Sequence, residues 1–223
     1  VTSGKAKILV DPGDHARLTA SSGEEKGAMP NPVPLPTQLA EAGIKREEVT
    51  HVVVTHLHYD HFIGVTLSDG GKMVPTFPNA RHLIPAKDWE MADIAEARAK
   101  GDKDFAETLG LVYKAGLMEL VDGRVDVARD VVVEPAPGES PGHQIVSIGP
   151  KDDRGYIVGD LFHMREEVVR PEMAAVWTDA PQLLRVRKEF LERASMESAL
   201  IFSGHMPAGR VKLSGGDVTW TEA

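Results

Sequence analysis

The 223-residue chain contains no cysteine. Disulfide staples and thiolate metal ligands are therefore excluded, and any metal must be held by nitrogen and oxygen donors. Long apolar runs are also missing. None approaches the roughly 20 residues that a membrane helix needs, so no membrane partner is expected. Positive charge is in deficit, with 25 Lys and Arg against 34 Asp and Glu and a formal net charge of −9. A protein whose main partner is a nucleic acid clusters Lys and Arg to neutralise phosphates, and this balance disfavours that class. No charged-then-apolar leader opens at Val1, which sets the expectation of a cytoplasmic protein. What is present is an ordinary globular composition, 42% hydrophobic and 26% charged. The length suits one domain spanning 1–223.

Apolar periodicity places the elements. "AKILVDPG" (Ala6 to Gly13) has the form of a strand ended by a Pro-Gly turn. The preceding "TSGK" has the form of a hairpin turn whose partner strand would lie before Val1. Leu18 to Pro36 is rich in Pro, Gly and Ser without apolar period, which predicts a long loop. A short helix over "TQLAEAGI" should close near Gly43, and "THVVVTH" should form a buried strand. "ARHLIP" gives another strand. The spacing then turns helical, with Phe105, Leu109, Val112 and Tyr113 on one stripe. Strands return in "MELV", "DVVVEP", "HQIVSIG" and "RGYIVGD". A helix around "APQLLRVRKEFLERA" precedes the strand of "ALIFSGH", and "RVKLSGGDVTW" should be a hairpin turning at Gly215 and Gly216. Strand blocks alternating with helices predict an α/β or α+β layered domain.

The densest chemistry lies in "THLHYDHFIG", Thr55 to Gly64. In an extended segment residues two apart point the same way, so His56 and His58 can converge on one ion, with Asp60 following on that side and His61 reaching in after a turn. Neutral imidazole and carboxylate suit zinc and several other first-row metals. A cluster this dense is poorly explained as core histidines, because each buried imidazole or carboxylate must find a partner. Three later residues follow one pattern. His143 sits in "GESPGH" after the strand "VVVEP", Asp160 ends "YIVGD", and His205 ends "ALIFSGH". Each lies just beyond the C-terminal end of an apolar strand, where a rigid scaffold can gather residues distant in sequence. Seven ligands exceed what one zinc ion uses. Two divalent ions are therefore expected, one on His56, His58 and His143 and the other on Asp60, His61 and His205, with Asp160 bridging. Zinc is the first expectation, with manganese, cobalt or iron as alternatives.

These residues resemble the metallo-β-lactamase superfamily, with its His-x-His-x-Asp-His signature and later His, Asp and His. The resemblance runs from about Lys7 to Trp220 through "ILVDPG", "THLHYDHFIG", "PGHQ", "VGDLFH" and "SGH". It implies an αββα sandwich, here short of the family's first strand or strands, with metals at one edge of the sheets. Within the superfamily the chain looks most like the branch containing methyl parathion hydrolase and the quorum-quenching lactonases. One departure is Glu139, where many relatives place another histidine. The resemblance implies a dinuclear hydrolase in which a metal-bridging hydroxide attacks a lactone or other neutral ester. Asp60 would orient that hydroxide and pass its proton on, and Asp160 would hold the ions at bridging distance. Phosphotriester hydrolysis is a close variant. A glyoxalase II-like thioesterase and a mononuclear iron persulfide dioxygenase share overlapping ligand sets and stay open.

The remaining candidates each carry a functional and a plainer reading, the plainer one preferred for His163 and for the aromatic and Met residues. Asp11 either supports a metal ligand from behind or bonds its own turn. His163, three residues after Asp160, either contacts substrate or simply packs. His15, His51 and His82 carry no functional assignment, and Tyr59 is read as packing. Trp89, Met91, Phe105, Tyr113 and Met118 either wall an apolar pocket or join the core. The partner is a small molecule. An unpaired edge at the Lys7–Val10 strand would favour a homodimer.

Overall fold

A computed structural model describes residues 1–14, 16–17 and 33–223. His15 and residues 18–32, which make up most of the expected loop from Leu18 to Pro36, lie outside the described residues. The chain divides into two compact units, Val1–Val121 and Asp122–Ala223.

The first unit is built on a five-stranded sheet. β1 (Thr2–Ser3) and β2 (Ala6–Val10) form a hairpin in which Thr2 pairs with Lys7, so the partner of β2 across the "TSGK" turn lies within the chain rather than before Val1. α1 (Leu35–Glu41) starts behind Pro34 and ends before Gly43. β3 (His51–Val53) lies parallel to β2, with Ile8 opposite His51. Parallel strands covered on both faces need continuous apolar sequence, and Val52, Val53 and Val54 are fully buried. The chain then passes through His56 and His58 into α2 (Tyr59–Phe62), which carries Asp60 and His61. A two-stranded ribbon, β4 (Thr66–Asp69) and β5 (Lys72–Pro75), follows before β6 (Arg81–Pro85) returns to the sheet beside β3.

The helical stretch after β6 is four short helices rather than one long stripe. These are α3 (Ala86–Trp89), α4 (Ala92–Lys100), α5 (Lys103–Glu107) and α6 (Leu109–Lys114). Gly101 ends α4 in the left-handed region, and the Asp102 side chain accepts from the Phe105 N–H to start α5. These breaks reset the helical phase. Leu109 and Val112 reach the core while Tyr113, expected on the same stripe, is 58% exposed. Its ring packs 5.5 Å from that of buried Trp89, with Phe105 at 5.6 Å on the same indole. Trp89 and Phe105 thus belong to the core of this unit, and Met118 packs on it from β7 (Met118–Val121), parallel to β6.

The second unit is a seven-stranded sheet. β8 (Val125–Ala128), β9 (Val131–Pro135), β10 (Gln144–Ile148) and β11 (Gly155–Ile157) run antiparallel in sequence order. α7 (Arg165–Val169) and α8 (Ala180–Met196) then carry the chain back so that β12 (Leu200–Phe202) joins β11 in parallel. β13 (Gly209–Ser214) and β14 (Asp217–Glu222) close the sheet as the expected hairpin around Gly215 and Gly216. α8 is capped by the Asp179 side chain on the Gln182 N–H. Its buried face is Leu183, Arg187, Phe190, Leu191 and Ala194, the spacing of an amphipathic helix with one charged residue on the apolar side. Among the described residues, no helix is long and apolar enough to cross a membrane.

Candidate functional site

In the first unit the candidate ligands follow the end of β3. Thr55 and His56 are buried, His58 is half-buried at the start of α2, and His61 is buried on its last turn. The ring of His56 lies 4.6 Å from that of His58 and 4.2 Å from that of His61. Asp60 is the more exposed member, with Oδ2 3.6 Å from His61 Nε2.

Asp11, at the end of β2, ties this group together. Its Oδ1 accepts from the Thr55 N–H at 2.7 Å, and its Oδ2 accepts from Thr55 Oγ1 at 2.7 Å and faces His61 Nδ1 at 2.9 Å. The carboxylate is thus spent on the histidine motif rather than on its own turn. Thr55 Oγ1 also lies 3.1 Å from His56 Nδ1. Buried Asp88, on α3, accepts from the Leu57 N–H at 3.1 Å and fixes the backbone between the first two histidines. Two glycines let these segments close on each other. A Cβ on Gly13 would stand 2.3 Å from the Asp60 carbonyl oxygen, and one on Gly64 would stand 1.8 Å from that of Pro12. Both distances are impossible for a side-chain carbon, so the "DPG" turn and the "HFIG" turn fit only as glycine-containing partners.

In the second unit, His143 is fully buried at the end of the loop after β9. Its Nδ1 faces the Ala136 carbonyl at 3.0 Å, which puts the ring proton on Nδ1, and its Nε2 accepts from the Asp160 N–H at 3.2 Å. Asp160 lies in a kinked 3-10 turn, Gly159–Leu161, directly after β11. Its Oδ1 is 3.2 Å from His205 Nε2 and its Oδ2 is 3.1 Å from His163 Nε2. The two imidazoles stack at 5.7 Å. The structure therefore brings His163, which the sequence left between substrate contact and packing, against the Asp160 carboxylate. Hydrogen bonds donated to Asp160 first and Glu167 second, opposed by burial, push the His163 pKa up to about 10.

Three residues without a sequence assignment stand beside this group. Glu139, 2% exposed, accepts from Trp177 Nε1 at 3.1 Å and offers a carboxylate oxygen within 4.8 Å of one from Asp160. Glu167 and fully buried Arg187 form an ion pair at 3.0 Å. Burial pushes the Glu167 carboxyl up, but the hydrogen bonds from His163 and the charge of Arg187 outweigh it and hold the group below the usual range. The available signal for Arg187 was a charged residue at a core position of α8.

Three ring tethers fit metal binding. Nδ1 of His56, His61 and His143 each meets a protein oxygen, from Thr55, Asp11 and Ala136. With Nδ1 so engaged, Nε2 is the nitrogen each ring could turn to a metal, in His143 in place of the Asp160 N–H it accepts from, the arrangement expected when an outer oxygen fixes tautomer and orientation. Of the residues without assignment, His51 Nδ1 meets Thr50 Oγ1 at 2.9 Å, and Tyr59 packs edge-on against Phe62.

Comparison with known proteins gives a consistent picture. The chain is 28% identical over 180 residues to the N-acyl homoserine lactonase AttM of Azorhizobium caulinodans, covering 76% of this chain and 63% of that protein. It therefore spans less than two thirds of the length of that relative. Among solved structures, the hydrolase AbOPH of the beta-lactamase superfamily superposes with a TM-score of 0.77 at 22% identity, over 99% of this chain and 76% of that one. AidC, a dizinc quorum-quenching lactonase in complex with a product, gives 0.73 at 21%, over 100% and 77%. Both likenesses establish the shared mixed α/β fold. The family model for the metallo-beta-lactamase superfamily matches residues 1–205, which contain the whole span over which the histidine and aspartate signature is distributed, and on that match the chain belongs to the metallo-beta-lactamase superfamily.

Proposed function

We infer that the protein is a metal-dependent hydrolase that opens lactones or related neutral esters. The observation that carries this reading is the set of three imidazoles tethered through Nδ1, because a protein has little other reason to orient three ring nitrogens by three separate oxygens. His56, His58, Asp60, His61, His143, Asp160 and His205 would hold two divalent ions, zinc in the first instance. When bound, such ions ionise a water near neutral pH and polarise the attacked carbonyl oxygen.

The residues of the chain divide the remaining work. Asp160, whose Oδ1 and Oδ2 face His205 and His163, would be the carboxylate shared by the ions. Asp60, the carboxylate of the motif, would accept a proton at Oδ and return it. His163 would steady a substrate oxygen. In the net reaction water adds to the acyl carbon, the ring ester C–O bond breaks, and the leaving oxygen takes the proton, giving a hydroxy acid. Neutral substrates are favoured because the motif flanks "HFIGV", "SPGHQ" and "GDLFHM" are mostly apolar. Arg165 and Arg210 are the nearest cations in sequence, and Arg210 is spent on the Ser198 carbonyl. The lactonase name of the AttM relative and the product-bound dizinc AidC support the choice of substrate class.

The test is a panel of an N-acyl homoserine lactone, an aryl ester, a phosphotriester and a glutathione thioester, with metal-loaded protein and Asp160→Ala as background. The lactone or aryl ester should be turned over fastest. Chelation should abolish activity and zinc, manganese or cobalt should restore it. Turnover of the thioester alone, or oxygen consumption with a persulfide, would replace this reading with the corresponding rival.

A further inference from the structure

Arg187 makes more bonds than packing α8 requires. Its Nε donates to the Leu161 carbonyl at 2.6 Å, its Nη1 to the carbonyls of Pro171 (3.3 Å) and Met173, and its Nη2 to Glu167 Oε2 at 3.0 Å. The guanidinium also lies 5.2 Å over the ring of Phe162. Taking two charges out of water costs several kcal/mol for each, and apolar residues of the same volume often serve stability as well or better. The arrangement is better explained by what it orients. Glu167 Oε2 accepts from the His163 N–H at 2.6 Å and faces His163 Nδ1 at 3.3 Å. With Nδ1 engaged by Glu167, the other ring nitrogen is turned to Asp160 Oδ2, 3.1 Å away.

We propose that the buried Arg187–Glu167 pair is a positioning device: it fixes the His163 imidazole so that Nε2 addresses Asp160 and a substrate oxygen bound beside it. Glu167 acts only through His163. The proposal rests on the hydrolase reading for its effect on turnover, but the orientation of the ring is a property of the protein alone. Arg187 keeps its bonds to the carbonyls of Leu161, Pro171 and Met173 when Glu167 is neutralised, so the segment stays in place while the ring loses its guide.

The experiment is Glu167→Gln, alone and combined with His163→Ala, in zinc-loaded protein. The single variant should lower kcat on the lactone about tenfold, with KM and metal content little changed, the size expected when an outer partner of a site residue is lost. In the His163→Ala background the same change should alter kcat by less than about twofold, since residues that act through one another are not additive. By 15N–1H NMR, the ring nitrogens of His163 should shift in Glu167→Gln while those of His82, which bonds the Ala80 carbonyl, stay. Glu167→Asp, which keeps the charge but retracts the oxygen, gives the same readouts should Glu167→Gln not fold. An equal loss of kcat in both backgrounds, or unmoved His163 resonances, overturns the proposal. If the wild type hydrolyses no ester, the hydrolase reading falls and the ring resonances still decide the positioning.

Discussion

Asp11 concentrates three hydrogen bonds on one side chain held at φ +50°. Asn tolerates that backbone region as Asp does, so Asp11→Asn should fold. It replaces one acceptor oxygen with an N–H₂ that meets donors from Thr55 and His61. Metal affinity should fall about ten- to hundredfold, read by competition with a chromogenic chelator, and unchanged affinity would remove Asp11 from this role. His82 offers a different test at the same scale. It is fully buried, and burial, only partly opposed by the carbonyls of Ala80 and Leu117, lowers its pKa to about 4. In the unfolded chain an imidazole protonates near 6.5, so between these values the unfolded state binds the extra proton. Stability should therefore be fully present above about 6.5 and fall by up to about 3 kcal/mol as pH is lowered to about 4. Urea unfolding of the metal-free protein at pH 7 and 4.5 should show a smaller difference in His82→Leu than in the wild type. Among candidate site residues, those of the first motif were legible because four candidate ligands fall within six positions. Glu167 and Arg187 were not, because a single charge inside an apolar helix stripe does not reveal its partner.

At the scale of elements, the close approach of the two turns is the most sensitive contact. Gly64→Ala would drive a methyl into the Pro12 carbonyl, and the backbone on one side must move. Overpacking of this kind costs about 3 kcal/mol or more when rigid backbone is the obstacle. A large drop in denaturation midpoint with loss of metal binding is expected, whereas Gly215→Ala, in a hairpin turn with open space around it, should retain metal. Most strands of the two sheets were legible from apolar runs such as "HVVVT" and "VVVEP". The ribbon of β4 and β5 was missed, although "SDGG" carries its turn, because its outward side chains give no apolar run. β8 was missed for a similar reason, since Val125–Ala128 is mostly outside the core. The split of the expected helical stripe followed from Gly101 and Asp102, residues whose caps the stripe alone does not weigh.

At the scale of the molecule, ion binding and folding should be linked. On the hydrolase reading the ligand geometry exists only in the folded chain, so zinc in excess should raise the melting temperature and a chelator should lower it, with the shift growing with the logarithm of free metal. Elemental analysis should give two ions per chain, and His205→Ala, at a half-open position, should give one. One ion in both would end the dinuclear reading. The Nδ1 tethers carry a further consequence for this balance. A neutral ring whose proton already sits on Nδ1 has none to release from Nε2, so uptake of an ion at His56, His61 and His143 near neutral pH is not an exchange of metal for protons. A thiolate site must make that exchange, and it also exposes sulfur to oxidants. With no cysteine anywhere in the chain, capture of the ions by these ligands is insulated from redox stress.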